Sequence, residues 1–220
     1  MPRPARYTVD EILDAAAALL GVDGPAAVTM SAVARVVGAP SGSMYHRFPT
    51  RGALCGALWM RTEERFQSGF VDALGSAGDV TARGVAAARY VVQWCRDHPD
   101  EAQVLLAGAD ALGRSDWPAP VQADRERLAR SLRRCLSELP GEPDRLRAAL
   151  VDVPYAVVRR YLIARQIIPP SADGIVEDCA RALLAEVSDS DSLSVRKTPT
   201  QPRARRSCRR RPTPGAPRWS

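Results

Sequence analysis

Between Thr29 and Leu54 the chain has few conformations open to it. Val33, Val36 and Val37 recur at helical spacing and form the expected inner face of a short helix, which stops at Gly38-Ala39-Pro40. Gly38 suits the left-handed position that closes a helix. Pro40 fits the first turn of the next one, where its missing N–H costs nothing. That next segment, Ser41 to Arg47, is again short, and Thr50 then offers a cap to a longer helix. Two short helices joined by three residues cross at a steep angle, the arrangement called a helix-turn-helix. Met44 and Phe48 fall on the inner side of the second helix, against Val33 and Val37.

The remainder follows the same helical period. Thr8-Val9-Asp10-Glu11 is a capping box. Val9, Ile12, Leu13, Ala16 and Leu20 follow it as one apolar stripe, and Gly21 to Pro25 ends that helix. After Thr50 the pattern predicts helices over about 51–74, 81–97 and from Asp100, the last carrying Leu105, Leu106 and Leu112. His98-Pro99 separates the second from the third. A seventh helix runs from Val121 to Leu139, and an eighth from about Pro143 to Gln166, with a kink at Pro154. Ile175, Val176, Cys179, Ala180, Leu183, Leu184 and Val187 stripe a ninth, more broadly than one contact requires. Ala, Leu and Arg, all strong helix formers, dominate the composition. The fold class is therefore all-α, with about nine helices. Residues 1–54 form a three-helix helix-turn-helix domain and 55–188 a helical body. Residues 189–220 form an Arg- and Pro-rich tail that cannot bury a core and reads as disordered.

Charge divides along the same line. The chain carries +6, but residues 189–220 hold nine Arg or Lys and two Asp, which leaves 1–188 at −1. The helical part is near neutral and the basic character belongs to the tail. The five cysteines, at 55, 95, 135, 179 and 208, lack the spacing of a zinc site or a disulfide framework. Four lie in helical apolar patterns and read as buried thiols in a reducing compartment. No metal or cofactor is expected. The N-terminal M-P-R-P-A-R-Y lacks the apolar core of a secretion signal, and no run reaches the roughly 18 apolar residues of a membrane span. The expected location is the cytoplasm, away from membranes.

An enzyme is not expected. The only histidines are His46 and His98, with no H-x-x-x-H or E-x-x-H pair and no glycine-rich phosphate loop. The Cys95–His98 proximity has no further partner that marks it as catalytic.

The chemistry of the Thr29–Leu54 stretch instead suits double-stranded DNA. A helix that reads a groove is thin where it meets bases and positive where it meets phosphates. Ser41, Gly42 and Ser43 are small, and a serine hydroxyl bonds to either kind of base. Thr29, Tyr45, His46, Arg47 and Arg51 suit phosphate, with His46 and Arg47 also in range of base edges. Arg3 and Arg6 form an N-terminal arm fit for the adjacent minor groove, or are ordinary surface charges. The arginines of the seventh helix alternate with acids and read as a solvated face.

In these residues the chain resembles the TetR-type transcriptional regulators. The resemblance rests on G-A-P-S-G-S-M-Y-H-R-F-P-T-R-G-A-L, on the Thr29 cap and on the preceding Val9–Leu20 helix, and covers about residues 8–58. Beyond it only length and helix count agree. Pro40 stands where Ser is common, Arg47 where His is common, and Gly52 replaces an acidic residue in the fourth helix. Gly52 is expected to weaken that turn by roughly 1 kcal/mol relative to Ala.

The resemblance implies a ligand-responsive repressor that binds a palindromic operator as a homodimer. It implies that residues 55–188 hold an effector site and a four-helix dimer interface. Effector candidates are Tyr90, Trp94, Trp117, Tyr155 and Arg159, each of which also reads as structural. Dimer candidates are Val157, Leu162, Ile163, Val176, Cys179 and Leu183, which also read as parts of a monomeric core. The alternative function is an effector-independent architectural DNA-binding protein that works through the basic tail.

Overall fold

The structure, a computed structural model, describes residues 7–194, with residues 41 and 186–194 described by backbone alone. Arg3, Arg6 and the tail beyond residue 194 lie outside the described residues. Among the described residues every regular element is helical: α1 (Val9–Asp23), α2 (Met30–Val37), α3 (Ser41–Arg47), α4 (Arg51–Leu74), α5 (Val80–Asp97), α6 (Pro99–Ala107), α7 (Ala119–Ser137), α8 (Pro143–Arg147), α9 (Val153–Ala164) and α10 (Ser171–Ser194).

The N-terminal helix starts are set by local chemistry. Thr8 Oγ1 accepts from Glu11 N at 3.1 Å while Thr8 N donates to Glu11 Oε2 at 2.7 Å, which completes the capping box. Thr29 Oγ1 accepts from Ala32 N at 3.1 Å, and Thr50 Oγ1 from Ala53 N at 3.0 Å. Each such cap is worth about 1 kcal/mol.

Three expectations are corrected. Val36 does not line the inner face of α2: it is 55% exposed, because an eight-residue helix buries only Met30, Val33 and Ala34. Pro154 does not kink the middle of a single helix. A π-helical turn, Ala148–Asp152, joins α8 to α9, with Val153 N bonded to Ala148 O. Pro154 then sits in the first turn of α9, and the wider turn absorbs the bond its missing N–H would break. Finally, α10 continues to Ser194, beyond the expected stop near Val187.

Apolar side chains collect into two cores. The first joins α1, α2, α3 and the first half of α4 through Ile12, Val28, Val33, Met44, Leu54 and Leu58. Val104, Leu112 and Trp117, from the α6–α7 region, close it. The second holds Phe70 and Leu74 of α4 with Val92, Leu150, Val176 and Leu184. α4 therefore contributes one end to each core. At its middle, a charged cluster ties it to α1 and α6: Arg61 reaches Asp10 at 3.2 Å and Asp14 at 2.8 Å, and Arg65 reaches Glu101 at 2.8 Å. Glu101 is buried, so the guanidinium groups offset a carboxylate that burial would otherwise penalise.

Candidate nucleic-acid interface and apolar cavity

The short α3 is held from within. Met44 is fully buried and Phe48 nearly so, both in the first core. Gly42, Tyr45 and His46 are exposed on the opposite side, and Ser43 and Arg47 are half-buried. A Cβ on Gly42 would meet nothing within 4 Å, so the start of α3 stands clear of the protein. The turn before it is fixed by Gly38 at φ 74°, whose N–H reaches the Ala34 and Arg35 carbonyls. Only glycine takes that conformation without steric cost.

Two contacts at this surface were not read from the sequence. The Tyr7 hydroxyl donates to the Gly38 carbonyl at 2.7 Å, which pins the end of the N-terminal arm to the turn. The only available signal was an aromatic directly before the Thr8 cap. Arg51, expected at phosphate, is directed inward: Nε donates to Val28 O and Nη2 to Pro25 O, both at 2.8 Å. It locks the segment that leads into α2, where Val28 lies outside any helix and Pro25 O also accepts from Val28 N at 3.3 Å.

Gly52 has a specific reason to be glycine. A Cβ there would stand 2.2 Å from the Asp116 carbonyl oxygen, which crosses the first turn of α4. Alanine therefore cannot relieve the flexibility cost expected from the sequence. The same crossing chain buries Trp117, whose Nε1 donates to Leu112 O at 3.2 Å and whose ring lies 6.2 Å from that of Trp59. Trp117 thus belongs to the first core and does not line the apolar space in the body.

That space is a cavity of about 260 Å³ among α4, α5, α6, α7 and α9. Phe66, Phe70, Leu105, Leu106, Leu132, Leu136 and Val158 line it, and no charged residue does. Of the five effector candidates only Tyr155 faces it. Trp94 packs behind the wall, edge-on to Phe66 at 5.1 Å, and Tyr90 lies 5.9 Å from the same ring. Arg159 is exposed on α9. The true lining is aliphatic and phenyl, which a sequence cannot tell from filled core.

Burial raises the Cys95 thiol to about 12, and burial with the nearby Asp72 and Cys95 raises the Tyr90 hydroxyl to about 12. Both groups are therefore neutral near pH 7. Among the described residues no three metal-binding side chains converge. The arginine face of α7 pairs along its own helix, Arg127 with Asp124 and Arg134 with Glu138, which fits a solvated surface.

The dimer candidates divide by burial. Ile163 is 56% exposed, whereas Leu162 and Val176 are buried in the second core. Val157, Cys179 and Leu183 are half-buried. Tyr155 and Ile175 add exposed apolar surface on α9 and α10.

An exposed second helix, anchored by its own core and preceded by a tight turn, is a helix-turn-helix set on a larger helical body. Residues 12–58 match the model of the bacterial regulatory proteins of the tetR family. The fold is that of solved members. A TetR family transcription regulator from Marinobacter aquaeolei VT8 superposes with a TM-score of 0.62 at 14% identity, over 80% of this chain and 94% of that one. The fatty acid degradation regulator FadR from Bacillus halodurans gives 0.64 at 16% identity, over 83% and 97%. AmtR from Mycobacterium smegmatis gives 0.56 at 24% identity, over 90% and 99%. No curated protein sequence matches the chain. The N-terminal segment thus matches the tetR family, and the described helices share the fold of solved regulators of that type. Among the described residues no helix is long and apolar enough to cross a membrane.

Proposed function

We propose that the protein is a ligand-responsive repressor that binds a palindromic operator as a homodimer. The observation that carries this reading is the division of α3, with Met44 and Phe48 locked inside and Gly42, Tyr45 and His46 outside. Ser41, Gly42 and Ser43 approach the bases, while Thr29, Tyr45, His46 and Arg47 meet the backbone, with Arg3 and Arg6 in the flanking minor groove. Arg51 contributes by holding the entry to α2 rigid.

One such helix reads too few base pairs for specificity, and two-fold symmetry doubles the site. The exposed Ile163 and Ile175, with the half-buried Cys179, support α9 and α10 as the dimer face. The 260 Å³ cavity supports a neutral, apolar effector. Such an effector shifts operator affinity only by binding one position of the reading heads better than the other.

Footprinting on the DNA beside its own gene tests the reading. Two symmetric half-sites about one helical turn apart are expected. Tyr45→Ala is expected to lower operator affinity about tenfold, roughly 1.4 kcal/mol, with no change in melting temperature. A continuous footprint without symmetry, lost on deletion of 189–220, instead means the architectural alternative.

A further inference from the structure

The apolar cavity has a neighbour. A cleft of about 430 Å³ opens between the end of α1, the start of α6 and the segment that joins α9 to α10. Cys95 and Leu162 line both spaces, so the two adjoin at these side chains. The two spaces differ in chemistry. The cavity is mostly apolar and lined by no charged side chain, whereas the cleft mixes apolar Val22 and Ile167, which are 62% and 89% exposed, with Asp100, Gln103, Arg165 and Gln166.

The charge of the cleft is balanced. Arg96, also on its lining, is held by Asp173 at 2.6 Å. That leaves Arg165 and Asp100, one of each sign. Gln103 Nε2 donates to Leu162 O at 2.8 Å, which ties α6 to the end of α9 and leaves the Gln103 carbonyl to accept. Arg165 is the one non-glycine residue with positive φ among the described residues, at 53°. That conformation is unfavourable for a residue with a Cβ and turns the chain at the rim. The rim thus offers donors and acceptors without net charge.

We propose that cavity and cleft are two compartments of one elongated site, and that its ligand is an uncharged amphiphile. Its apolar body fills the cavity, and a neutral polar end group, such as a hydroxyl or sugar, lies in the cleft. This rests on the reading of the cavity as the effector site. It adds the class of ligand and the point where that ligand touches the reading head. Gly21 and Val22 belong to α1, and a Cβ on Gly21 would stand 2.9 Å from Asp100 Oδ1, so α1 and α6 meet at the cleft. A polar end group there contacts the head and the body at once, which is how occupancy of the body acquires a preference for one head position.

The test compares decan-1-ol, decanoate, decylammonium and naphthalene on the full chain by titration calorimetry, with operator release read by gel shift. Decan-1-ol is expected to bind once per protomer, at least tenfold more tightly than either charged analogue, and to release operator. Val22→Glu places a charge in the cleft at an exposed position. It is expected to weaken decan-1-ol at least tenfold while naphthalene, confined to the cavity, is unaffected. Leu106→Trp is expected to abolish both, with a melting curve on each variant as the check of folding. Two decan-1-ol sites per protomer, an equal loss of naphthalene in Val22→Glu, or preference for a charged analogue overturns the proposal. If no probe binds and Leu106→Trp changes nothing, the cavity is not the effector site and the underlying reading fails instead.

Discussion

The two cores of this protein are built for different purposes. The first, around α1 to α4, is closed: Ile12, Val28, Val33, Met44, Leu54 and Leu58 are each at most 2% exposed. Caps and inward hydrogen bonds, such as those of Arg51, fix the elements around it. The second keeps a 260 Å³ apolar space and shows Tyr155, Ile163 and Ile175 at its surface. Well-packed interiors leave few voids larger than a water molecule, so an apolar space of this size is a departure that the rest of the fold must offset. Under the proposed function, a reading head works only if α3 holds one shape, whereas a responsive body needs more than one packing of comparable stability. The contrast in packing is the physical form of that division.

The comparison is broken most directly by emptying the closed core. Met44→Ala is expected to cost about 2–5 kcal/mol in chemical denaturation and to abolish operator binding, since α3 loses its anchor. A cost below about 1 kcal/mol means that the head is not closed.

Gly52→Ala comes next. Helix propensity alone predicts a gain, but the Asp116 carbonyl stands 2.2 Å from the new Cβ. A loss of about 1–3 kcal/mol is expected, as for other overpacked sites. Gly174→Ala in α10, where nothing lies within 4 Å, is the control and is expected to be neutral or stabilising by up to about 1 kcal/mol.

The third prediction concerns pH and belongs to the second core. Burial raises the Cys95 thiol from 9.0 to about 12, and the Tyr90 hydroxyl is raised from 10.0 to about 12. Folded values above the unfolded ones mean that this stabilisation is fully present below about pH 9. It fades as pH rises toward 12, because only the unfolded chain releases the protons there. Denaturation midpoints measured from pH 8 to 11 should fall, and Cys95→Ala should flatten the early part of that fall. An unchanged slope in the variant removes Cys95 from the account.

The smallest effect sharpens the contrast. Leu132→Phe adds volume toward the cavity and is expected to change stability by less than about 1 kcal/mol, whereas Val33→Phe in the closed core should cost about 1–3 kcal/mol. Equal costs in thermal melts erase the difference between the cores.

Local signals were legible wherever the cause lies within a few residues. Thr8, Thr29 and Thr50 cap as their neighbours demand, and Gly38 takes the left-handed turn. Met44 and Phe48 fall inside by helical spacing alone. Val36 did not follow, because spacing in a short helix names two adjacent faces and only packing chooses between them. The aromatic residues misled for a related reason. Trp117 looks like ligand wall but fills the first core, and the cavity is lined by leucines that look like core.

The amino-acid sequence by itself determined the helical class, the caps, the crossing of α2 and α3 and the polar outer side of the second helix. These depend on neighbours within one or two turns, where backbone geometry and hydrogen bonding leave few alternatives. Only the tertiary structure decided that Arg51 turns inward, that Gly52 makes room for the Asp116 carbonyl, and that Cys95 and Leu162 separate a cavity from a cleft. Each depends on chain segments tens of residues apart meeting in space. Hydrophobic attraction is not directional, so it brings such segments together without recording in either one which atoms will touch.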